Sequence, residues 1–252
     1  MVHTVVPNIH VFADIEELSR AAAAAIAQLV AGVTRSRAAF SMALAGGATP
    51  GTLYHHLATD FLNATPWAQM HFFWGDERYV ATDDEASNYR MAREALLDHV
   101  PVPEANVHPI ETHFPHPDMA AEAYETVLRE HFGGELPRFD LILLGVGHDG
   151  HTASLFPESP ALQETERWVV PATTPGEPQQ RVTLTLPVLN NAAVVYFLAA
   201  GPEKAEPVQL TLDDATDPAP CPAAAVRPTE GELHWWLDAA AAGVSAISHS
   251  LL

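Results

Sequence analysis

Residues 139–146 read FDLILLGV, and this apolar run decides the fold class. It is too short to be a lone helix and is typical of a strand that is covered on both faces. The chain has three further runs of this kind, at residues 39–45, 70–74 and 194–200, with helical patterns between them. Strands that alternate with helices favour an α/β fold with a parallel, doubly wound sheet.

The helix boundaries are predicted from capping residues. Asp14 is a predicted N-cap and Gly32 a predicted end for the first helix. Thr49 and Pro50 are the predicted N-cap and first residue of the second helix. Further helices are predicted at residues 87–99, 119–132 and 235–242.

Composition indicates one globular domain spanning residues 1–252. Hydrophobic residues make up 48% of the chain and charged residues 17%, and no linker or internal repeat is evident. No apolar run approaches the roughly 18 residues that a membrane helix needs. The first four residues lack the pattern of a secretory signal, and the single cysteine, Cys221, excludes an internal disulfide framework. We therefore expect a cytoplasmic protein.

The charge balance is strongly acidic. Twelve Lys and Arg residues oppose 32 Asp and Glu residues, which gives a formal net charge of −20. Such a molecule repels polyanions, so nucleic-acid binding is disfavoured. Lys204 is the only lysine, and a small anionic ligand would require the few cations to be gathered in one place.

Glycine-rich turns follow three of the predicted strands, at residues 46–51, 75–78 and 145–151. Ligands of doubly wound sheets bind at the carboxyl ends of the strands, so these turns predict a single site. Gly46 and Gly47 allow close approach of a ligand, and the helix after them offers free N–H groups to an anion. The spacing matches neither GxGxxG nor the GxxxxGK[ST] phosphate loop, and a simple strand-to-helix turn is the alternative interpretation.

The turn after the central strand carries the candidate acid–base residues. His151 is a candidate base, and Asp149 is a carboxylate that can hold the imidazole ring. A solvated glycine turn and a metal site are the alternatives. No HExxH-type spacing is present, and the other histidines are scattered along the sequence, so we expect no metal.

Four cations lie where they could meet an anionic ligand. Arg78 follows a predicted strand, and Arg181 precedes the apolar segment 182–186. Lys204 follows Gly201-Pro202-Glu203. Arg227 precedes Pro228, and its role is left open.

Six motifs, in this order, resemble those of the 6-phosphogluconolactonases, and the resemblance covers nearly the whole chain. They are GGATP at 46–50, WGDER at 74–78, SNYRM at 87–91, GVGHDGHTASLFP at 145–157, RVTLT at 181–185 and GPEK at 201–204. The segment WLDAAA at 236–241 is similar to the end of that family. The resemblance implies an open sheet of the Rossmann type with a small appended subdomain.

The implied reaction is hydrolysis of 6-phospho-D-glucono-1,5-lactone to 6-phosphogluconate in the oxidative pentose phosphate pathway, without a cofactor. The implied substrate is thus a small phosphosugar lactone, and the protein a monomer or small homo-oligomer. Family likeness makes His151 the general base, and we expect Asp149 to orient it. The turn from Gly46 through Gly47 to Thr49, with Arg181 and Lys204, is expected to hold the phosphate. Arg78, and with it Asp76, is expected near the lactone.

Pro207 lies three residues after Lys204, where a helix is expected to begin, and a proline in the interior of that helix would remove a backbone hydrogen bond. It predicts that this helix starts late and that Lys204 lies on its approach.

Two other functions compete with lactone hydrolysis. Glucosamine-6-phosphate deaminases share the Asp-Gly-His turn, but here Arg78 stands where they have tyrosine. The acidic residue that aids ring opening in those enzymes is missing at its place, since Glu158 comes one position late. A sugar-phosphate sensor would need a DNA-binding segment, and the chain has no basic helix-turn-helix.

Overall fold

The computed structural model describes residues 5–213 and 215–244. The expectation about a secretory signal rests on residues 1–4 and lies outside this part of the chain. Six parallel strands form the main sheet in the order β1-β9-β8-β5-β2-β3. These strands are β1 (Asn8–Phe12), β2 (Phe40–Leu44), β3 (Met70–Trp74), β5 (Leu141–Leu144), β8 (Val194–Ala199) and β9 (Glu232–Asp238). The predicted parallel α/β sheet is confirmed.

A second, antiparallel sheet forms the small appended subdomain. Its strands are β4 (Asp76–Arg78), β7 (Gln180–Leu184) and β6 (Val169–Thr173), in that order. Residues 75–78 are therefore not a simple turn, because Asp76–Arg78 pairs with the segment that contains Arg181. The chain changes sheets at Gly75, whose N–H bonds to Leu44 of the main sheet and whose carbonyl accepts from Leu184 of the small one.

Six α-helices accompany the sheets in the described part of the chain. They are α1 (Ile15–Thr34), α2 (Ala48–Thr59), α3 (Asn88–Ala95), α4 (Pro117–His131), α5 (Leu186–Asn190) and α6 (Ala205–Leu212). None of them combines the length and the apolar character that a membrane span requires.

Several predicted helix boundaries are wrong. The helix predicted at residues 87–99 ends at Ala95, and the helix predicted at residues 119–132 spans Pro117–His131. Helix α1 does begin after Asp14, whose side chain accepts from the Glu17 N–H, but it continues past Gly32 to Thr34. One glycine costs a helix only about 1 kcal/mol relative to alanine, which the packing of a 20-residue helix outweighs. Helix α2 begins at Ala48 with Gly47 as its N-cap, so Thr49 is inside the helix. Gly47 has φ of 104°, a conformation that side chains disfavour, and the N-cap is therefore at this glycine, two residues before the predicted one.

The helix predicted at residues 235–242 is also wrong, because Glu232–Asp238 is the strand β9. Successive strand residues point to opposite faces of a sheet, and on each face the tryptophan of β9 packs against an aromatic ring of a neighbouring strand. Trp235 stacks on Phe197 at 4.2 Å between ring centroids, and Trp236 stacks on His10 at 4.4 Å. A surface helix would leave one of the two rings in water, so burial of both selects the strand.

A buried carboxylate ties the small sheet to helix α3. Glu77 is 2% exposed, and its Oε1 accepts the backbone N–H groups of Arg78 and Asn88, each at 2.7 Å. Its Oε2 accepts the Tyr89 N–H at 2.8 Å and the Ser87 hydroxyl at 3.3 Å. The carboxylate therefore fixes the free N–H groups of the first turn of α3 against β4.

We predict that Glu77→Gln destabilises the protein. Both carboxylate oxygens accept hydrogen bonds, so the amide nitrogen of glutamine faces buried N–H or O–H donors in either orientation. An unsatisfied buried donor costs about 1–3 kcal/mol, and the midpoint of urea unfolding measures the loss. Glu85→Gln, on the exposed loop before α3, is the matched control. Equal midpoints for the two variants would contradict the prediction.

The same substitution has a defined pH dependence. Burial raises the pKa of Glu77 to about 7, against the effect of the three backbone donors. In the pH range between the pKa of Glu77 in the unfolded chain and about 7, Glu77 is protonated in the folded protein and ionised in the unfolded chain. The contribution of Glu77 to the free energy of unfolding therefore falls as the pH rises through this range. The stability difference between the wild-type protein and Glu77→Gln should be larger at pH 5 than at pH 8. A constant difference would show that Glu77 does not titrate in this window.

Candidate active site

A cavity of about 430 Å³ opens at the carboxyl ends of β2, β5 and β8. Its lining includes the turn after β2, the first residues of α2, the loop after β5 and the segment after β8. Seven of the nine predicted site residues line it: Gly46, Gly47, Thr49, Asp76, Arg78, His151 and Lys204. The three glycine-rich turns therefore contribute to one site, as the strand order predicts.

His151 and Asp149 form a hydrogen-bonded pair at this cavity. The distance between His151 Nδ1 and Asp149 Oδ1 is 2.5 Å, and the His151 N–H also donates to Asp149 Oδ1 at 3.2 Å. The loop turns tightly, since the Gly147 N–H donates to the His151 carbonyl at 2.8 Å. A side chain at Gly147 would collide with both the imidazole and the carboxylate, so the pair requires glycine there.

The ionisation of Asp149 determines which nitrogen of His151 carries the proton. Burial raises the pKa of Asp149, but the charge of His151 and its hydrogen bonds outweigh this effect and hold the pKa below its usual range. An ionised Asp149 accepts a hydrogen bond from Nδ1–H, which assigns the proton of a neutral imidazole to Nδ1. The lone pair on Nε2 is then available for a proton, as a general base requires.

The loop that carries the pair packs on the buried Cys221. Gly150 has φ of 78°, and a side chain there would meet the Cys221 sulfur at 2.8 Å. The Gly150 carbonyl also accepts the Ala223 N–H at 2.9 Å. The segment around Cys221 therefore packs against and supports the loop that carries His151.

Asp76 is a buried carboxylate with fixed partners. Its Oδ2 accepts the Ser154 hydroxyl at 2.6 Å, and the side-chain amide of Asn88 donates to the Asp76 carbonyl at 2.9 Å. The amide of Asn88 lies directly against Gly46, where a Cβ would collide with it. These contacts join β4, α3 and the diglycine turn around the cavity.

Lys204 reaches the loop after β5. Its Nζ donates to the Val146 carbonyl at 2.9 Å. A short 3-10 turn, Pro202–Lys204, precedes α6, which begins at Ala205. Pro207 is thus in the first turn of α6, where its missing N–H has no intrahelical partner to lose. The expected position of Lys204 on the approach to the helix is confirmed.

Arg181 and Arg227 are not among the described residues that line the cavity. Arg181 pairs in register with Arg78 across β4 and β7, and burial together with the charge of Arg78 lowers its pKa. Its Nε is buried without a hydrogen-bond partner among the described residues. Arg78 donates to the Ala86 carbonyl at 2.7 Å, and Arg227 donates to the Thr211 carbonyl at 3.1 Å. Arg181 is therefore the cross-strand neighbour of Arg78 on the same face of the small sheet.

Sequence reasoning missed several residues of the site. Asn88, Ser154, His148 and Glu203 contact Asp76 or line the cavity. Asn88 and Ser154 both occur inside motifs of the resemblance, which was the available signal. The spacing of neither residue indicates that its side chain meets Asp76, because the contacts join segments 12 and 78 positions apart.

Comparison with known proteins finds relatives that are similar in sequence over nearly the full length of this chain. The family model described as glucosamine-6-phosphate isomerases/6-phosphogluconolactonase matches residues 13–235. The 6-phosphogluconolactonase of Synechocystis sp. is 42% identical over 235 residues, which cover 92% of this chain and 95% of that protein. Human 6-phosphogluconolactonase is 42% identical over 252 residues, with 97% of each chain covered.

Solved structures agree with these sequence matches. The 6-phosphogluconolactonase of Trypanosoma brucei superposes with a TM-score of 0.83 at 33% identity, covering 95% of this chain and 99% of that one. A monomeric glucosamine-6-phosphate deaminase has a TM-score of 0.78 at 20% identity, which shows a shared fold only. The chain therefore belongs to the glucosamine-6-phosphate isomerase/6-phosphogluconolactonase family, among its 6-phosphogluconolactonases.

Proposed function

We propose that the protein hydrolyses 6-phospho-D-glucono-1,5-lactone to 6-phospho-D-gluconate, with His151 as the general base and without a metal. The observation that carries the proposal is the His151–Asp149 pair at the same cavity as Lys204. A lactone is an activated ester, so its hydrolysis requires an activated water and a stabilised oxyanion. A serine or cysteine nucleophile is not required.

The phosphate of the substrate binds at the start of α2. Gly46 and Gly47 leave room for a ligand against the backbone, and the first N–H groups of α2 favour an anion. Lys204 lines the same cavity and adds a full positive charge. Arg181 does not line the cavity and acts indirectly: as the cross-strand neighbour of Arg78, it strengthens the positive potential there.

The hydrolytic step places the lactone carbonyl near His151. Nε2 of His151 removes a proton from water while the water oxygen bonds to C1, which forms a tetrahedral oxyanion. Arg78 stabilises that oxyanion. The bond from C1 to the ring oxygen then breaks, and the imidazolium returns its proton to the ring oxygen. Asp149 stays ionised and holds the ring throughout.

Asp76 has a binding role in this scheme. Its carboxylate is fixed by Ser154 and is 8% exposed at the cavity wall. A fixed carboxylate accepts hydrogen bonds from sugar hydroxyls, so we assign Asp76 to orientation of the sugar ring.

The position of Glu158 disfavours the deaminase alternative. Glu158, the only acidic residue near the position used by those enzymes, is exposed and lines a separate groove with Ser159 and Leu162. It does not line the cavity that contains His151. Glu158 is therefore not placed to assist the opening of a sugar ring bound in that cavity.

The proposal predicts catalysis in a coupled assay. Glucose-6-phosphate dehydrogenase generates the lactone in place, and 6-phosphogluconate dehydrogenase reports the product. Addition of the protein should raise the rate of product formation above spontaneous hydrolysis, whereas ammonia release from glucosamine-6-phosphate should be absent. A rate equal to the spontaneous one would overturn the proposal.

We predict that His151→Asn lowers kcat by about 10²–10⁴-fold, the range typical of a lost general base. The side chain is partly exposed, so the variant should keep the circular dichroism spectrum and urea midpoint of the wild-type protein. His113→Asn, at an exposed position, is the matched control. If His148→Asn loses more activity than His151→Asn, the base is assigned to the wrong histidine.

We predict that Lys204→Met raises KM by about 10- to 150-fold with a smaller change in kcat, since a charge-assisted hydrogen bond contributes about 1.5–3 kcal/mol. Lys204 is the only lysine, so an amine reagent such as trinitrobenzenesulfonate labels one side chain besides the α-amino group. 6-Phosphogluconate should slow this labelling, and gluconate, which lacks the phosphate, should not. If both ligands protect Lys204 from labelling to the same extent, Lys204 does not bind the phosphate group.

A further inference from the structure

Three histidines meet at the end of the sheet opposite the cavity. His71 is the second residue of the edge strand β3, and His131 is the last residue of α4. His108 follows a short turn, and its N–H donates to the Phe72 carbonyl at 2.8 Å, which holds it beside β3. The cavity of the active site is at the carboxyl ends of the strands, whereas His71 is near an amino end.

The nitrogen atoms of the three rings are arranged as metal ligands are. One nitrogen from each of His71, His108 and His131 lies within 4.8 Å of the other two. His71 Nδ1 and His108 Nε2 are 3.2 Å apart. Two nitrogens bound to one tetrahedral zinc ion are about 3.3–3.4 Å apart, given zinc–nitrogen bonds of about 2.0–2.1 Å. Small side-chain rotations of His131 complete the ligand set.

The surroundings favour neutral, oriented imidazoles. All three rings are half-buried, and His108 stacks on Phe73 at 4.5 Å between ring centroids. His131 contacts the edge of Phe73 at 4.9 Å and lies at the C-terminus of α4, where the helix dipole favours a cation. Burial lowers the pKa of each imidazole, that of His108 to about 4, so the lone pairs are not protonated at neutral pH.

We propose that His71, His108 and His131 form a binding site for a divalent first-row transition metal, with zinc the best match. Imidazole nitrogens suit this class of ions, and three protein ligands leave the fourth position to water. In the metal-free protein His71 and His108 share a hydrogen bond. Metal binding requires the ring that donates this hydrogen bond to shift its proton, by exchange with solvent, to its outward nitrogen, so that each neutral ring offers one lone pair and keeps one proton.

The bound ion joins three segments that are far apart in the sequence. It links the edge strand β3, the segment at His108 and the end of α4. Edge strands have one free side, so a metal that cross-links β3 to its neighbours stabilises that side of the sheet. The site is independent of the proposed lactone chemistry, because it shares no residue with the cavity lining.

Metal binding is tested on the full chain without an affinity tag, after dialysis against a chelator. Titration with Zn²⁺ in competition with a chromophoric chelator gives the affinity, and Co²⁺ gives the visible spectrum of a four-coordinate ion. We expect one strongly bound ion per chain. His71→Asn and His131→Asn should each weaken binding by more than the roughly 10- to 100-fold that accompanies loss of an outer-shell partner.

His10→Asn is the matched control. His10 belongs to another half-buried histidine pair, with His10 Nε2 and His234 Nδ1 3.1 Å apart. The control should bind zinc as the wild-type protein does. The proposal is overturned if the triad variants bind like this control, or if His151→Asn rather than a triad variant abolishes binding.

A second measurement needs no variant. Crystals of the wild-type protein soaked in Zn²⁺ should give an anomalous peak between His71, His108 and His131. Zinc should also raise the unfolding temperature of the wild-type protein. An anomalous peak only at another site would overturn the proposal even if a triad variant fails to fold.

Discussion

The active site depends on β4, the short strand at which the chain leaves the parallel sheet. Its adjacent carboxylates, Asp76 and Glu77, are both buried and face different partners. Alternation along a strand sends Asp76 toward Ser154 and the cavity, and Glu77 toward the first turn of α3. Because α3 carries Asn88, which packs on Gly46, this strand of three residues positions both the diglycine turn and, through Ser154, the loop after β5.

The charge distribution explains how an acidic protein binds an anionic substrate. The formal net charge is −20, yet Arg78 and Lys204 line one cavity, and Arg181 is the cross-strand neighbour of Arg78. Their carbonyl partners, Ala86 for Arg78 and Val146 for Lys204, orient them without neutralising them. The remaining negative surface repels anions elsewhere, so under the proposed function the field would direct a phosphate ester to this cavity.

The sequence predicts most of the fold and much of the site. Short apolar runs revealed the central strands, and turns at strand ends identified the cavity, because both are local signals. Burial that depends on distant partners was not predictable: Trp235 and Trp236 look helical until Phe197 and His10 cover their two faces. The roles of His151 and Asp149 rest on family likeness and remain predictions, although the structure pairs their side chains.

The packing of Gly150 on Cys221 affects how inhibition data should be interpreted. Cys221 is the chain's only thiol and is 3% exposed beneath the loop that carries His151. An electrophile that reaches it during a transient opening adds bulk where even a methyl group does not fit, and so displaces the loop. Inactivation by alkylating compounds would then report damage to a scaffold, and a screening campaign that reads it as a nucleophilic cysteine would misassign the chemistry.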